Sequence, residues 1–581
     1  MLERRDLLRQ LPPLALAVVL GRPMTPSQPQ GEPGSVFRHG VASGDPTPDR
    51  VVLWTRVSGA GPGAAVAVRW VVASDPNLSE IVASGTSPAD PEHDWTVHVD
   101  AGGLRPATTW WYRFEAEGQR SPVGRTRTAP APDDDRELRL GVVSCASHAA
   151  GLFTVYRRLS ERDVDLVVHL GDYIYESNEG DQRSHVPQEE PTTLADYRAR
   201  HAQQRSDADL QALHQRFAFA AVWDDHEVAA DSWEGGAAAH NPRTQGPWGP
   251  RRAAGLRAYL EWMPLRRPDP ATPERIWRSL PLGSSAELVL IDTRHDGRDR
   301  QVGPTFPDPA AALDEPDRRI MSDEQQEWLA DRLRSSPAAW RLVANQVVLS
   351  PLRIEVPPPV AQVGQGLGVV VAGAVMNPDQ WDGYPAARQR LLEVVAEPEV
   401  GPVVFLTGDI HSSWAFDVPP SGDLAATPVA TELVAPSVTS ATFAQLVGPD
   451  SSVVATGMAN VVADQLPHVR WTELQHHGYV VVAIRPEAVQ ADWWHVDAVD
   501  GSTDAEALAA SWMVEVTEPR LRPADGALGP RRPEPPPPVP PSPPPVPGDT
   551  GIADLLVGGT LGAIVVAVGG LIVLRRRRRS G

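Results

Sequence analysis

The chain has 581 residues, a formal net charge of −21, 41% hydrophobic residues and 18 tryptophans. Its length exceeds what one ordinary core can organise, so we expect two or more domains. A surface with this excess of negative charge repels nucleic acid, and we predict no nucleic-acid partner.

The first segment, residues 1–30, has the layout of an export signal. Arg4 and Arg5 precede a short apolar run that ends near Leu20, and a stretch rich in proline follows. The run is too short to span a bilayer, and the arginine pair is typical of a twin-arginine signal. We therefore predict export by the twin-arginine machinery. A frayed basic N-terminus is the alternative.

The second segment, residues 31–132, alternates apolar and polar residues in short runs such as "RVVLWTRV" and "TTWWYRFEAE". Glycine and proline separate the runs. This pattern predicts a small antiparallel β-sandwich of the immunoglobulin or fibronectin kind. We find no candidate catalytic residue in this segment.

The third segment, residues 133–515, changes to apolar strands that alternate with helices. Runs such as "LRLGVVSC", "VDLVVHLGD" and "PVVFLTGDIH" end in polar residues, and helical stretches such as "SDEQQEWLADRLRSS" lie between them. The alternation predicts an α/β body. Ligands bind at the carboxyl ends of the strands in such bodies.

Five predicted strand ends carry residues that can bind metal ions. They are Cys145; Asp172 with Tyr175; Asp224 with Asp225 and His226; Asn345; and Asp409 with His411. Carboxylates gathered at buried strand ends repel one another unless a cation lies between them. The sequence therefore predicts a metal site.

The C-terminal part reads as a stalk and an anchor. Residues 516–550 are rich in proline, which favours an extended linker. Residues 551–574 include twenty residues without a charge, Leu555 to Leu574, which is about the length that a bilayer requires, and a basic tail, 575–581, follows. Arginine clusters stay cytoplasmic. We therefore predict an exported, extracytoplasmic protein anchored in the bacterial cell membrane by a C-terminal transmembrane helix.

A set of motifs links the second and third segments to one family. The motifs "FRHGVASGDPTPDRVVLWTRV", "GDYIYE", "WDDHE", "DTR", "WDGYPAARQRLL" and "GDIHSSW" follow one another over roughly residues 36–500. In this order they resemble the alkaline phosphatase D (PhoD-type) family of calcineurin-like metallophosphoesterases. The resemblance implies an α/β (α+β) double β-sandwich flanked by helices, whereas the pattern alone suggests an open parallel sheet. It also implies a metal-dependent phosphatase or phosphodiesterase.

The resemblance assigns metal ligands by position. It implies that Cys145, Asp172, Tyr175 and His411 hold a first metal and that Asp172 bridges to a second. The second metal would be held by Asp225, Asn345 and Asp409. A thiolate, phenolate, carboxylate and imidazole set suits Fe(III), and an oxygen-rich set suits Ca(II) or Mn(II). The alternative for Cys145 is a small buried side chain without a ligand role, and Asn345 has a competing neighbour in Gln346.

The resemblance also implies a mechanism and two catalytic residues. A metal-bound hydroxide would attack phosphorus in line with the leaving oxygen. His226 would stabilise the phosphoryl charge or protonate the leaving group, and Arg294 would clamp the phosphate. A phosphoserine route through Ser144 or Ser147 is the mechanistic alternative. The functional alternatives are a phosphodiesterase restricted to phospholipid or wall teichoic acid and a non-catalytic surface protein on the same fold.

Overall fold

The computed structural model describes residues 35–531, except 60, 62, 179, 304–305, 356–373, 376 and 448–450. The chain divides into two units, Met1–Arg532 and Pro533–Gly581. The predicted export signal (1–30), membrane segment (551–574) and basic tail (575–581) lie outside the described residues, as does most of the predicted linker.

Two large sheets form the body of the first unit. The larger has ten strands in the order β26 (Glu518–Pro523), β25 (Glu506–Glu515), β24 (Ala488–Val496), β23 (His477–Arg485), β9 (Leu138–Val143), β10 (Leu166–His169), β11 (Ala218–Ala221), β1 (Val41–Gly44), β2 (Arg50–Arg56), β5 (Thr96–Gly102). The smaller has seven strands in the order β14 (Arg278–Leu282), β15 (Ala286–Leu290), β16 (Trp340–Asn345), β19 (Val403–Thr407), β21 (Ala430–Val434), β20 (Ser413–Val418), β22 (Val469–Glu473).

The remaining strands form a five-stranded sheet and two short ribbons. The five strands are β4 (Ile81–Ala89), β3 (Val66–Ala73), β6 (Thr109–Ala116), β7 (Gln119–Arg120) and β8 (Gly124–Arg127). The ribbons pair β12 (Ser232–Trp233) with β13 (Gly236–Ala237) and β17 (Ile354–Glu355) with β18 (Ala374–Val375).

Helices lie between the strands. The α-helices are Thr154–Ser160, Leu194–Gln204, Ala208–Arg216, Pro242–Gln245, Trp248–Trp262, Pro309–Leu313, Asp323–Ser335, Pro385–Val395, Phe443–Val447 and Ser451–Gln465, with single 3₁₀ turns at Pro91–His93 and Trp381–Gly383. Local sequence explains where they begin. For example, the Ser322 hydroxyl accepts a hydrogen bond from the Gln325 N–H at 3.1 Å and caps the helix that follows.

The main core lies between the two large sheets. Leu140 and Val168 of the ten-stranded sheet share one buried cluster with Leu342 and Leu406 of the seven-stranded sheet. Strand β9, which lies between β10 and β23, is buried at all six positions, including Arg139. The opposite face of the seven-stranded sheet packs on helices Asp323–Ser335 and Pro385–Val395. The body is therefore a double β-sandwich flanked by helices, as the resemblance implied, and not an open sheet.

The N-terminal segment forms its own core but shares a sheet with the body. Leu53 of β2 and Val97 of β5 pack against Val72 of β3 and Phe114 of β6. Strands β1, β2 and β5 also continue the ten-stranded sheet, because β1 pairs in parallel with β11, with Ser43 opposite Ala218. At the other edge of this sheet, β26 lies within the residues predicted to begin the linker.

The predicted fold class included a C-terminal transmembrane helix, and this part of the prediction is corrected. Within 35–531 no helix is long and apolar enough to cross a bilayer. The longest, Trp248–Trp262 and Ser451–Gln465, have 15 residues each, whereas a bilayer needs about 20. The prediction rested on apolar length, which does not by itself establish a helix, and its segment lies outside the described residues. The fold class is the double sandwich with the N-terminal sandwich, and the membrane-anchored localisation is not retained.

Candidate active site and metal centre

The predicted site residues lie at sharp backbone turns that follow β9, β10 and β19. Four of the eleven described non-glycine residues with positive φ are Cys145 (61°), Asp172 (55°), Asp409 (67°) and His411 (51°). Such conformations cost of order 1–3 kcal/mol each and often mark functional sites. The turns direct these side chains to one place at the carboxyl ends of the strands.

Two glycines allow the strand-end loops to approach one another. A Cβ at Gly171, whose φ is +108°, would lie 2.4 Å from the Cβ of Asp224, and a Cβ at Gly408 would lie 2.7 Å from the Ser144 Oγ. Both distances are shorter than side-chain atoms tolerate. The glycine that precedes the aspartate in each Gly-Asp motif is therefore required for close packing of the site.

The four predicted ligands of the first metal come together. Ligating atoms of Cys145, Asp172 and His411 lie within 4.8 Å of one another. The Tyr175 hydroxyl donates to the Asp172 Oδ2 at 2.8 Å and lies 3.2 Å from the His411 Nε2. This group joins side chains from three separate strand ends.

His411 is prepared as a neutral ligand. Its Nδ1 lies 2.9 Å from the Ala441 carbonyl oxygen, so Nδ1 carries the proton and the Nε2 lone pair faces the group. Burial lowers the pKa of His411 to about 4, which keeps the ring neutral at physiological pH.

Cys145 is fixed through its backbone. Its carbonyl oxygen accepts hydrogen bonds from the N–H groups of Val438, Thr439 and Ser440 at 3.2, 3.2 and 3.3 Å. Burial and the Asp172 carboxylate raise the pKa of the Cys145 thiol. A cation in contact with the sulfur would reverse that shift and favour the thiolate.

A second group of acids adjoins the first. Ligating atoms of Asp224, Asp225 and Asp409 lie within 4.8 Å of one another, as do those of Asp172, Asp225 and His226. Asp172 thus belongs both to the group with Cys145 and His411 and to the group with Asp225 and His226. Burial raises the pKa of Asp172 and Asp224, with a further contribution from neighbouring carboxylates, and burial together with Asp379 raises the pKa of Asp409 to about 7. Buried carboxylates this close fit cations, which would keep them ionised.

Asn345 makes contacts in the protein interior. It is fully buried at the end of β16. Its amide oxygen accepts from the Trp381 indole N–H at 3.3 Å, and its amide nitrogen donates to the Thr407 hydroxyl at 3.3 Å. These contacts join the end of β16 to the end of β19 and to the 3₁₀ turn Trp381–Gly383. A ligand role for Asn345 stays a prediction.

His226 is held between an acid and an aromatic ring. Its Nδ1 lies 2.7 Å from the Glu176 Oε2, and its ring stacks on Tyr175 with centroids 4.1 Å apart. Burial alone would lower the pKa of His226, but the carboxylates of Glu176, Asp225 and Asp172 raise it well above its usual range. These contacts favour the protonated ring, which lies beside both acid groups.

Arg294 is embedded in the acidic cluster. It is fully buried, and its guanidinium donates to Asp224, to both oxygens of Asp379 at 2.8 and 2.7 Å, and to Asp409 at 2.9 Å. Burial by itself would raise the pKa of Asp225, but the positive charges of Arg294 and His226 hold it below its usual range. The contacts favour a positioning role, and the phosphate clamp stays a prediction.

Four further residues support the site, and sequence reasoning did not single them out. Glu227 accepts the N–H groups of Asp172, Tyr173 and Asp224 at 3.0, 2.6 and 2.7 Å. The other supporting residues are Glu176, Asp379 and Gln380. The two glutamates close the motifs "GDYIYE" and "WDDHE", so their place in those motifs was an available signal, whereas Asp379 and Gln380 lie just before "WDGYP".

Comparisons with known proteins identify the family that the sequence motifs resemble. The family model described as "PhoD-like phosphatase" matches residues 140–493, and the one described as "PhoD-like phosphatase, N-terminal domain" matches residues 24–130. Alkaline phosphatase D of Bacillus subtilis (strain 168) is 34% identical over 503 residues, which are 84% of this chain and 82% of that protein. A solved "Structure of PhoD" has a TM-score of 0.75 at 33% identity and covers 85% of this chain and 93% of its own.

A more distant likeness is to a purple acid phosphatase from yellow lupin (Lupinus luteus) seeds. It has a TM-score of 0.49 at 13% identity and covers 82% of this chain and 73% of its own. This likeness is too distant to assign a role to any residue.

The predicted resemblance to alkaline phosphatase D is confirmed. PhoD-type enzymes depend on metal ions, and the residue groups described above are candidate positions for them. Since the family match spans 140–493 and a relative at 34% identity aligns with 84% of the sequence, the chain belongs to the PhoD-like phosphatase family and is a phosphoesterase.

Proposed function

We propose that this phosphoesterase hydrolyses phosphate mono- and diesters at the acidic cluster with Fe(III) in the first group and Ca(II), or another divalent cation such as Mn(II), in the second. The convergence of Cys145, Asp172, Tyr175 and His411 supports the first assignment. Such a mixed set of sulfur, nitrogen and oxygen donors suits iron. The all-carboxylate group of Asp225 and Asp409 beside it suits a hard cation.

The proposed role of each residue rests on its contacts. When bound, the two cations activate water as a nucleophile and neutralise the phosphoryl oxygens. His226, charged and held by Glu176, donates a proton to the leaving alkoxide or stabilises the phosphoryl charge. Arg294 and Glu227 keep the carboxylates and the strand-end loops in place.

Metal analysis with a visible spectrum tests the first group. We expect iron in the purified protein and a tyrosinate–iron(III) charge-transfer band that Tyr175→Phe removes. The control is Tyr173→Phe, because the Tyr173 hydroxyl contacts His214 at 2.9 Å and does not enter the group. A protein without iron, or a band that survives Tyr175→Phe, would contradict the assignment.

Activity on an aryl phosphate tests the reaction. We expect Asp172→Ala to reduce hydrolysis to background with loss of both metals, and we expect added calcium to restore the metal-depleted wild type. Rapid quenching tests the serine alternative, because only a route through Ser144 or Ser147 leaves phosphoserine on the protein.

A cavity favours esters with an apolar group as a second candidate specificity. Among the described residues, a cavity of about 520 Å³ opens beside Asp409 and His411. Its lining includes Trp414, Phe443 and Met458. An apolar substituent of a diester would find a matching surface there. Comparing kcat/KM for a methyl and a long-chain alkyl ester of one aryl phosphate tests this, and equal values would rule the cavity out of substrate binding.

A further inference from the structure

A cluster of one glutamate and two histidines lies outside the acidic site. We propose that Glu473, His476 and His495 form a separate binding site for a divalent cation of the Zn²⁺ class. Their ligating atoms all lie within 4.8 Å of one another. None of the three belongs to the residue groups assigned to phosphoester hydrolysis.

The distances within the cluster are those of metal ligands. The His476 Nδ1 lies 3.0 Å from the Glu473 Oε1, and the His495 Nδ1 lies 3.6 Å from the Glu473 Oε2. Ligand atoms bound tetrahedrally to zinc at about 2.0–2.1 Å are roughly 3.3–3.4 Å apart. The two imidazole rings are nearly parallel, at 14° with centroids 5.5 Å apart, and both Nδ1 atoms face the same carboxylate. A cation can therefore enter with small side-chain shifts.

His495 is prepared to bind a cation. Its Nε2 lies 2.9 Å from the Ser413 Oγ, which can accept a hydrogen bond from the Nε2–H group. In that tautomer the Nδ1 lone pair faces Glu473.

Glu473 is held by the chain that follows it. Its two oxygens accept the backbone N–H groups of Gln475 and His476 at 2.9 and 3.1 Å. Two of the three ligands are therefore oriented without a metal, and such preorganisation lowers the cost of binding one.

Exposure leaves the site accessible to a cation. The His476 side chain is 49% exposed, whereas Glu473 and His495 are 19% and 8% exposed. Two imidazoles and one carboxylate select zinc, cobalt or nickel over magnesium and calcium. Three protein ligands with one open side leave a position for water.

The strands that supply the ligands suggest a structural effect. Glu473 ends β22, which is the edge strand of the seven-stranded sheet, and His495 lies in β24 of the ten-stranded sheet. A cation between them would join the two sheets at one border. Binding should therefore raise the melting temperature of the protein.

Metal stoichiometry tests the proposal. Zinc or cobalt(II) is titrated into the full-length protein, and bound metal is measured after equilibrium dialysis. The comparison is His476→Ala, an exposed position whose loss should leave the fold intact, with His93→Ala as a matched surface control. We expect His476→Ala to bind one equivalent less than wild type and His93→Ala, to lose the zinc-induced rise in melting temperature, and to keep the wild-type phosphatase activity. Glu473→Gln should behave like His476→Ala.

Two results would overturn the proposal. Equal stoichiometry in His476→Ala and wild type would mean that Glu473 and His476 form only an ion pair. A cobalt(II) absorption spectrum unchanged by His476→Ala would lead to the same conclusion. Both readouts are independent of catalysis, so failure of the proposed phosphatase metals would not affect them.

Discussion

Glu227→Gln should weaken both the fold and the metal site. The carboxylate accepts three buried N–H groups, with Asp172 and Asp224 on one oxygen and Tyr173 on the other. Glutamine offers one carbonyl oxygen, so at best it keeps two of these bonds and turns an NH₂ towards the third donor. Burial raises the pKa of Glu227 to about 7, so the magnitude is taken from the cost of a buried donor that loses its partner, about 1–3 kcal/mol. We therefore expect the free energy of unfolding to fall by about 1–3 kcal/mol, roughly 5- to 150-fold in the unfolding constant.

Urea unfolding, metal content and aryl phosphatase activity measure this effect together. The matched control is Glu287→Gln, because Glu287 is also buried but bonds the half-exposed Arg332 near the start of β15. We expect the control to keep its metals and to lose at most about 1 kcal/mol. If Glu227→Gln unfolds at the wild-type urea concentration and retains full metal content, Glu227 does not hold the strand-end loops.

Three further predictions concern single side chains. Cys145→Ser should keep the fold, measured by circular dichroism, and lose iron, measured by metal analysis; full iron content would mean that Cys145 is only a packed side chain. His226→Gln should lower kcat by about 10²-fold or more for an alkyl phosphate and less for an aryl phosphate, whose leaving group needs no proton; equal losses would argue against proton donation. Burial and Asp207 raise the pKa of Asp209 from 3.8 to about 6, so the folded state binds the proton more tightly and stability falls as pH rises through this window. Relative to Asp209→Asn, wild type should lose about 1–2 kcal/mol between about pH 4 and 6 in urea unfolding, after allowance for partial exposure; parallel stability curves would contradict this.

The strand-end pattern allowed much of the site to be predicted. Polar residues that follow buried parallel strands gather at the carboxyl ends of those strands. Cys145 and Asp172, which follow strands of the ten-stranded sheet, meet His411, which follows β19 of the seven-stranded sheet. The environment of Arg294 could not be predicted in this way. The three carboxylates to which it donates hydrogen bonds, Asp224, Asp379 and Asp409, are distant in sequence, and side-chain pairing across loops has no periodic signal.

The strand order of the sheets was predicted less completely. The motif order indicated two packed sheets and an N-terminal sandwich, but it could not reveal that β1 inserts between β2 and β11. That pairing joins Ser43 to Ala218, and register between distant segments depends on the whole fold. The membrane anchor was predicted from an apolar run and from the arginines that follow it, and these features do not by themselves establish a helix.

The insertion of β1 also places part of the N-terminal segment beside a strand that leads into the active site. β1 covers the outer edge of β11, and β11 ends at Ala221, three residues before Asp224. A truncated chain that began after residue 132 would leave a fully buried strand with a bare edge, which is a template for aggregation. An expression design that treats the match over residues 140–493 as a self-sufficient catalytic module would thus remove the neighbour of the strand that leads to Asp224. The two matched regions share one sheet, and we expect them to fold as one unit.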